Sequence, residues 1–222
     1  MLKKFASDSL GLSDIGQFIP EDKFQEVDVV QYCLPSETPF IVLRSKSDEY
    51  CFTNKALIHL DGTSAMSKKR VLKRYTYKHH KVSRVILETA GTIDLDAEVK
   101  FQLGERSDEL NFSLDVDKKQ LPALILLYQA LMMISEEQGH NYRHAQNIRE
   151  AVNDSIRLFE NIERMQFGKC VEHTVDDGDA ISTALKDSCS YLETRKEEVN
   201  KYIHHDDFTH IFTTILEKGV EV

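Results

Sequence analysis

An α+β protein, an antiparallel sheet module followed by a helical tail, is the fold class this sequence predicts, and three observations predict it. Between residues 40 and 116, short apolar runs recur with turn signals between them, the spacing of a sandwich or barrel rather than of βαβ units. Leu121 to Ile134 is then apolar around almost the whole circumference of a helix. From Asn141 onward the apolar positions recur at spacings of three and four, the period of amphipathic helices.

Each element follows in order. Residues 1–24 scatter Phe5, Leu10, Leu12, Ile15, Phe18 and Ile19 ahead of the breaker Pro20, which predicts short helical turns packed on the module. Glu26 to Leu34 predicts a strand, with Val27, Val29, Gln31 and Cys33 alternating against Asp28, Val30 and Tyr32. Pro35-Ser36-Glu37-Thr38-Pro39 is a loop by its breakers. Phe40–Leu43 is the next strand, and others are expected at 49–53, 56–60, 70–78, 82–89, 92–103 and 109–116, with Asn54-Lys55 turning the second hairpin. Asp117 is placed to cap a helix, with Pro122 in the first turn, where a missing N–H does little harm. A helix covering one sheet needs only one apolar stripe. The all-round apolar character of Leu121–Ile134 therefore calls for a second covering surface, from the C-terminal tail or from another subunit.

The tail places Ala145, Ile148, Val152, Ile156, Phe159 and Ile162 on one helical face. After breaks at Gly168 and Asp176–Asp179, Ile181, Ala184, Leu185, Ser188, Leu192 and Val199 share another, and a short last helix carries Phe208, Ile211, Phe212, Ile215 and Leu216. The predicted boundary is at Gly139: a sheet module over 1–139 and a helical extension, expected to be an oligomerisation region, over 140–222.

The 222 residues suffice for one large domain or two small ones, and 41% hydrophobic content argues against wholesale disorder. The net charge is −9 and the pI near 5.5. Residues 1–139 carry a net −3 and residues 140–222 a net −6. This disfavours nucleic acid as a partner, and an acidic tail is a poor membrane-surface helix. The four cysteines, Cys33, Cys51, Cys170 and Cys189, form no C-x-x-C pair, so neither a zinc framework nor a secreted disulfide scaffold is expected and a reducing cytoplasm fits. Asp8 and Asp14 interrupt any apolar segment after Lys3-Lys4, which argues against an export signal. The longest apolar run is about 14 residues where a span needs roughly 20, so no transmembrane segment is expected.

At this point the residues resemble a known family. Phe52-Thr53-Asn54-Lys55-Ala56-Leu57-Ile58, the following Asp61-Gly62, and above all Val85-Ile86-Leu87-Glu88-Thr89-Ala90-Gly91-Thr92-Ile93-Asp94-Leu95-Asp96-Ala97-Glu98 are similar to the bacterial pleckstrin-homology (PH) domain family over about residues 25–139. The tail resembles the YvbH-like helical extension of that family. The resemblance implies a PH-like bent antiparallel sheet or barrel of about seven strands, capped by a C-terminal helix and followed by a helical hairpin, with a tendency to form multimers. The sequence departs from the family's usual Asn-Lys-Arg-Leu turn at Ala56, and its Pro35–Glu49 connection is longer than usual. The family supplies no catalytic residues to carry over.

Three constellations bear on function. Lys68, Lys69, Arg70, Lys73, Arg74, Lys78, Lys81 and Arg84 form a run without an acid between Ser67 and Arg84, interleaved with Tyr75 and Tyr77. On a strand, period 2 divides these cations between two faces, and strand lysines also guard exposed edges. A solvated edge is the leading reading, with an anion site at Lys68, Lys69, Arg70, Lys73 and Arg74 as the functional one. The loop Pro35–Pro39 carries no cation, unlike the corresponding loop of phosphoinositide-binding PH domains, which disfavours that route. His204-His205-Asp206-Asp207 with His210 contains metal-ligand types, but lacks a third ligand at defined spacing; capping of the last helix by Asp206 or Asp207 is the simpler reading. Asp94, Asp96 and Glu98 alternate on one strand and read as a solvent-facing row. No G-x-S-x-G, P-loop, dinucleotide glycine pattern or H-E-x-x-H is present.

The expectation is therefore a cytoplasmic, non-enzymatic PH-like scaffold, without a cofactor, whose first partner is a second copy of itself, with other proteins as further candidate partners. The residues assigned to self-association are Leu124, Leu127, Leu131, Ile148, Val152, Phe159, Leu185 and Leu192. The alternative is a binding module for an anionic ligand or membrane surface through the basic stretch 68–84.

Overall fold

The computed structural model describes residues 15–62, 70–89, 96–104, 110–167, 178–203 and 205–219. The chain divides into two compact units, one of residues 1–138 with 206–222, the other of residues 139–205. The expected boundary at Gly139 put every tail helix in the extension; instead the last helix belongs with the sheets.

The first unit holds two antiparallel sheets. One has five strands in sequential order, β1 (Gln17–Ile19), β2 (Pro39–Arg44), β3 (Glu49–Thr53), β4 (Ala56–Gly62) and β5 (Arg70–Thr76). The other has three, β6 (Val82–Glu88), β7 (Asp96–Leu103) and β8 (Leu110–Asp117). β5 and β6 lie in different sheets, so no closed barrel forms. At one corner, Gly16 N donates to Asp115 O at 2.7 Å, in an isolated bridge between the start of β1 and β8. The strands expected from residue 40 onward are present within a few residues of their predicted bounds; positions 92–95 of the expected seventh lie outside the described residues.

The main core lies between the two sheets. Leu43, Phe52 and Leu57 from the first sheet meet Val99, Phe101, Leu114 and Val116 from the second. The opposite face of the five-stranded sheet is also covered. Val42, Cys51, Ile58 and Leu60 pack there against Phe24, Val27 and Val29. β4 is thus buried on both faces, which explains its continuous apolar run.

This second cover corrects two expectations. Glu26–Leu34 is not a strand but 3-10 turns, Glu21–Glu26 and Asp28–Tyr32. Its alternation served another purpose: the free face of the sheet needs apolar cover, and tight turns drop Phe24, Val27 and Val29 onto it while their backbone groups bond locally or to Glu49, whose Oε2 accepts from Val29 N at 2.8 Å. Conversely Phe18 and Ile19, expected in a helical turn, form the edge strand β1, registered Phe18 to Leu43 and Ile19 to Val42.

Asp117 caps as expected, its Oδ1 accepting from Lys119 N at 2.8 Å, but it starts a 3-10 turn (Lys118–Gln120) that runs into α1 (Leu121–Phe167). α1 continues through Gly139 without a break. One glycine costs a helix about 1 kcal/mol relative to alanine, too little to stop a segment with formers on both sides. Gln138 fastens this point to the sheets: its Nε2 donates to Tyr77 O at 2.7 Å and its Oε1 accepts from Val82 N at 2.8 Å.

Leu124, Leu127, Ala130, Leu131 and Ile134 are fully buried in the main core. So are Phe208 and, on α3 (Thr209–Gly219), Ile211, Phe212 and Ile215. The second surface demanded by the all-round apolar helix is supplied in cis by α3. Leu124, Leu127 and Leu131 are therefore core residues, a correction to their assignment as an oligomer interface.

The second unit contains the later part of α1 and α2 (Gly178–Ile203). His144 meets Tyr202 edge-on, with ring centroids 4.3 Å apart, which brings the end of α2 beside the start of this stretch of α1. Among the described residues no helix is long and apolar enough to cross a membrane.

Candidate functional site

The basic strand β5 is the natural place to seek a site, and its surroundings decide its chemistry. Antiparallel pairing sets Ile58 opposite Arg74 and His59 opposite Lys73, so even and odd residues face opposite sides. On the even side lie the 3-10 turns. Arg70 reaches Asp28 Oδ2 at 2.7 Å and Glu49 Oε1 at 3.1 Å. Arg44 Nε also lies 3.3 Å from Glu49 Oε1. Arg74 pairs with Glu37, whose carboxylate also accepts from Leu34 N at 2.8 Å. Glu37 is fully buried at its side chain, and a buried carboxylate is tolerated only with this kind of compensation.

The odd side faces the core rim. Lys73 Nζ lies 2.5 Å from Asp61 Oδ2, and that hydrogen bond, working against desolvation, raises the Lys73 pKa. Asp61 is registered opposite Val71, so Lys73 is its diagonal neighbour, within reach of a long side chain. His59 Nε2 donates to Asp48 Oδ1 at 3.1 Å, and its ring stacks on Tyr50 with centroids 4.3 Å apart. Burial pushes the Asp48 carboxyl up, but hydrogen bonds from His59, Ser47 and Gly62 N outweigh it and hold the group below the usual carboxylate range.

Asp48, His59 and Asp61 are the one group among the described residues with potential metal-ligand atoms close together, all within 4.8 Å of one another. Their present partners do not suit an ion. Asp48 Oδ1 already accepts from His59 and from Gly62 N at 3.3 Å, and Asp61 faces the ammonium of Lys73. The arrangement is that of an internal ion-pair network in which lysine supplies the cation. Residue types alone gave no hint of this trio; the hairpin register of β3, β4 and β5 brings it together.

Of the residues expected to form an anion site, Arg70, Lys73 and Arg74 are thus all engaged by acids of their own unit, and Lys68 and Lys69 lie outside the described residues. On the even side Arg44, Arg70 and Arg74 meet Asp28, Glu37 and Glu49, and on the odd side Lys73 lies with Asp61 and Asp48, so neither set of pairs leaves a cationic excess. In the carboxylate row, Glu98 pairs with Lys100 at 2.8 Å, and Lys100 also pairs with Glu88 at 2.8 Å; Asp94 lies outside the described residues.

At the start of α3, Asp207 Oδ1 accepts from Thr209 N at 3.0 Å and Oδ2 from Asn54 Nδ2 at 3.1 Å. Asn54 O in turn accepts from Phe208 N at 2.8 Å. The Asn54 turn, read from sequence as a hairpin signal, is also the socket of the last helix. His210 pairs with Glu137 at 2.8 Å. His204 lies outside the described residues.

In the second unit, Ala145 and Val199 are the buried apolar residues among those described. Ile148, Val152 and Leu192, assigned to self-association, are half-buried, and Ile156 is 37% exposed. The side chains of Phe159 and Leu185 lie outside the description.

The model of the family "Bacterial PH domain" matches residues 9–135. The uncharacterized protein YvbH of Bacillus subtilis (strain 168) is 37% identical over 214 residues, covering 96% of this chain and 97% of that one. The crystal structure of a PH-domain-containing bacterial protein from Exiguobacterium sibiricum 255-15 matches with a TM-score of 0.75 at 34% identity, over 91% of this chain and 100% of that one.

Proposed function

The chain belongs to the bacterial PH domain family, and from that premise we propose that it is a non-enzymatic cytoplasmic scaffold that self-associates through the helices of its second unit. One observation carries the reading. Ala145 and Val199 are buried there, while Ile148, Val152 and Leu192 on the same stripes stay half in water. Two helices bury a single seam, and their flanks need another apolar surface. A second copy presents the same stripes, and pairing about a two-fold axis turns two hairpins into a four-helix bundle. The satisfied ion-pair networks of the sheet unit and the lack of a catalytic motif support a structural role.

Light scattering after size exclusion of the full chain tests this. The expected result is a multimer that becomes a monomer in the triple variant Ile148→Glu, Val152→Glu, Leu192→Glu, with the aromatic circular dichroism of the sheet unit unchanged. A wild-type chain that is a monodisperse monomer at micromolar concentration overturns the proposal. A fragment ending at residue 139 is unsuitable, because it loses α3 from the core. The anionic-ligand alternative has weaker support, since it requires Arg70, Lys73 and Arg74 to leave carboxylates they already hold.

A further inference from the structure

Cys33 and Cys51, 18 positions apart, have their sulfurs 3.9 Å from one another. Cys51 lies on β3 and is fully buried under the 3-10 turns. Cys33 ends the second of those turns, its N–H bonded to Val30 O at 3.1 Å, and is half-buried. Its neighbours Tyr32 and Leu34 are 48% and 52% exposed. One thiol therefore sits at a solvent-reaching turn with the other immediately behind it.

We propose that Cys33 and Cys51 form a hydroperoxide-reactive dithiol site, in which Cys33 is oxidised first and Cys51 resolves it to an intramolecular disulfide. The hydrogen bond from the Cys51 thiol draws the Cys33 pKa down, against burial and the Glu37 carboxylate and with help from Arg74. The same bond and burial push Cys51 far up. Of the two, Cys33 is the more readily ionised, and the thiolate is the nucleophile toward peroxide.

The Cys33 thiolate attacks the terminal oxygen of the hydroperoxide. An S–O bond forms, the O–O bond breaks, and the departing alkoxide or hydroxide takes up a proton as alcohol or water. Cys51 then loses its proton and attacks the sulfenic sulfur. The S–S bond forms, the S–O bond breaks, and the leaving hydroxide takes that proton as water. The two thiols together give up two electrons and the peroxide accepts both. The sulfurs must approach to about 2.05 Å, a movement available to Cys33 because it ends a turn rather than lying inside a strand.

The test is mass mapping of the reduced full chain after hydrogen peroxide, with remaining thiols blocked by iodoacetamide. A peptide linking Cys33 to Cys51 is expected, and Cys33 should be lost to alkylation about tenfold faster than the exposed Cys189. Cys51→Ala should stop at a Cys33 sulfenic acid captured by dimedone, and Cys33→Ser should leave Cys51 reduced. Cys33 reacting no faster than Cys189, or a disulfide joining other cysteines, overturns the proposal. The wild-type map decides the matter even where Cys51→Ala perturbs packing.

Discussion

Phe212→Ala tests whether the last helix is part of the chain's own core. Phe212 has no exposed surface and stacks on Phe40, with ring centroids 5.0 Å apart and planes 5° from parallel. Truncating a buried Phe to Ala costs about 3–5 kcal/mol, the lost transfer energy plus the cavity left behind. Aromatic pairing beyond burial accounts for about 0.5–1.5 kcal/mol in such contacts, so a value in the upper half of the range is expected here. That is a large share of the roughly 5–15 kcal/mol by which a domain is stable. The neighbouring Thr213→Ala is the control: Thr213 is exposed, and its hydroxyl donates to Thr209 O within the helix, so a change within about 0.5 kcal/mol is expected. Urea unfolding followed by near-ultraviolet circular dichroism is the assay, since the chain has no Trp and the aromatic cluster lies in this unit. A loss below about 1 kcal/mol would refute the reasoning. A loss that disappears as protein concentration rises would also do so, because it would mean that the helix is donated by another chain.

Further outcomes follow from the same geometry. A Cβ at Gly62 would fall onto the Ser47 carbonyl oxygen, a backbone atom that cannot rotate away; Gly62→Ala should lower the unfolding midpoint, and an unchanged midpoint would show that the β3–β4 end yields freely. The Tyr77 hydroxyl is buried with no hydrogen-bond partner among the described residues, and burial raises its pKa well above the ordinary value; Tyr77→Phe should therefore be neutral or stabilise by about 1 kcal/mol, and a loss of that size in urea unfolding would reveal a missed partner. The Asp48 carboxyl has a folded pKa below its unfolded one. Its contribution is therefore complete above the unfolded value of about 3.9 and is lost as pH falls through the lowered folded value. The stability gap between wild type and Asp48→Asn should shrink as pH is lowered through that window, and a gap independent of pH in acid titration of unfolding would count against the His59 and Gly62 hydrogen bonds.

The strands after residue 40 were legible because turn residues and alternation agree, as at Asn54-Lys55 and in β7, where buried Ala97, Val99, Phe101 and Leu103 alternate with partly exposed neighbours. Glu26–Leu34 was not, because apolar residues laid on a sheet by tight turns mimic the period of a strand. The continuity of α1 through Gly139 was equally invisible, since the anchoring of Gln138 to Tyr77 and Val82 is tertiary. The all-round apolar helix did state its own need for a second cover. It could not say which segment supplies it, because Phe208, Ile211, Phe212 and Ile215 carry the same pattern whether they fold in cis or onto a neighbour.

The basic run shows the same asymmetry at the level of chemistry. Local sequence counts cations, whereas function depends on the field they leave after pairing. Residues 67–84 contain no acid, yet the acids that answer Arg70, Lys73 and Arg74 come from Asp28, Glu37, Glu49 and Asp61, up to 42 positions away. Register and the 3-10 turns deliver them. A cation run on a strand thus predicts ion pairs with whatever covers that strand as readily as it predicts an anion site, and only the covering segment distinguishes the two. Here that segment carries Asp28 on its turns and is followed by Glu37, so the charge is spent in fastening the cover to the sheet. In the proposed scaffold, half-buried Ile148, Val152 and Leu192 of the second unit, rather than the basic strand, are the surface for another molecule.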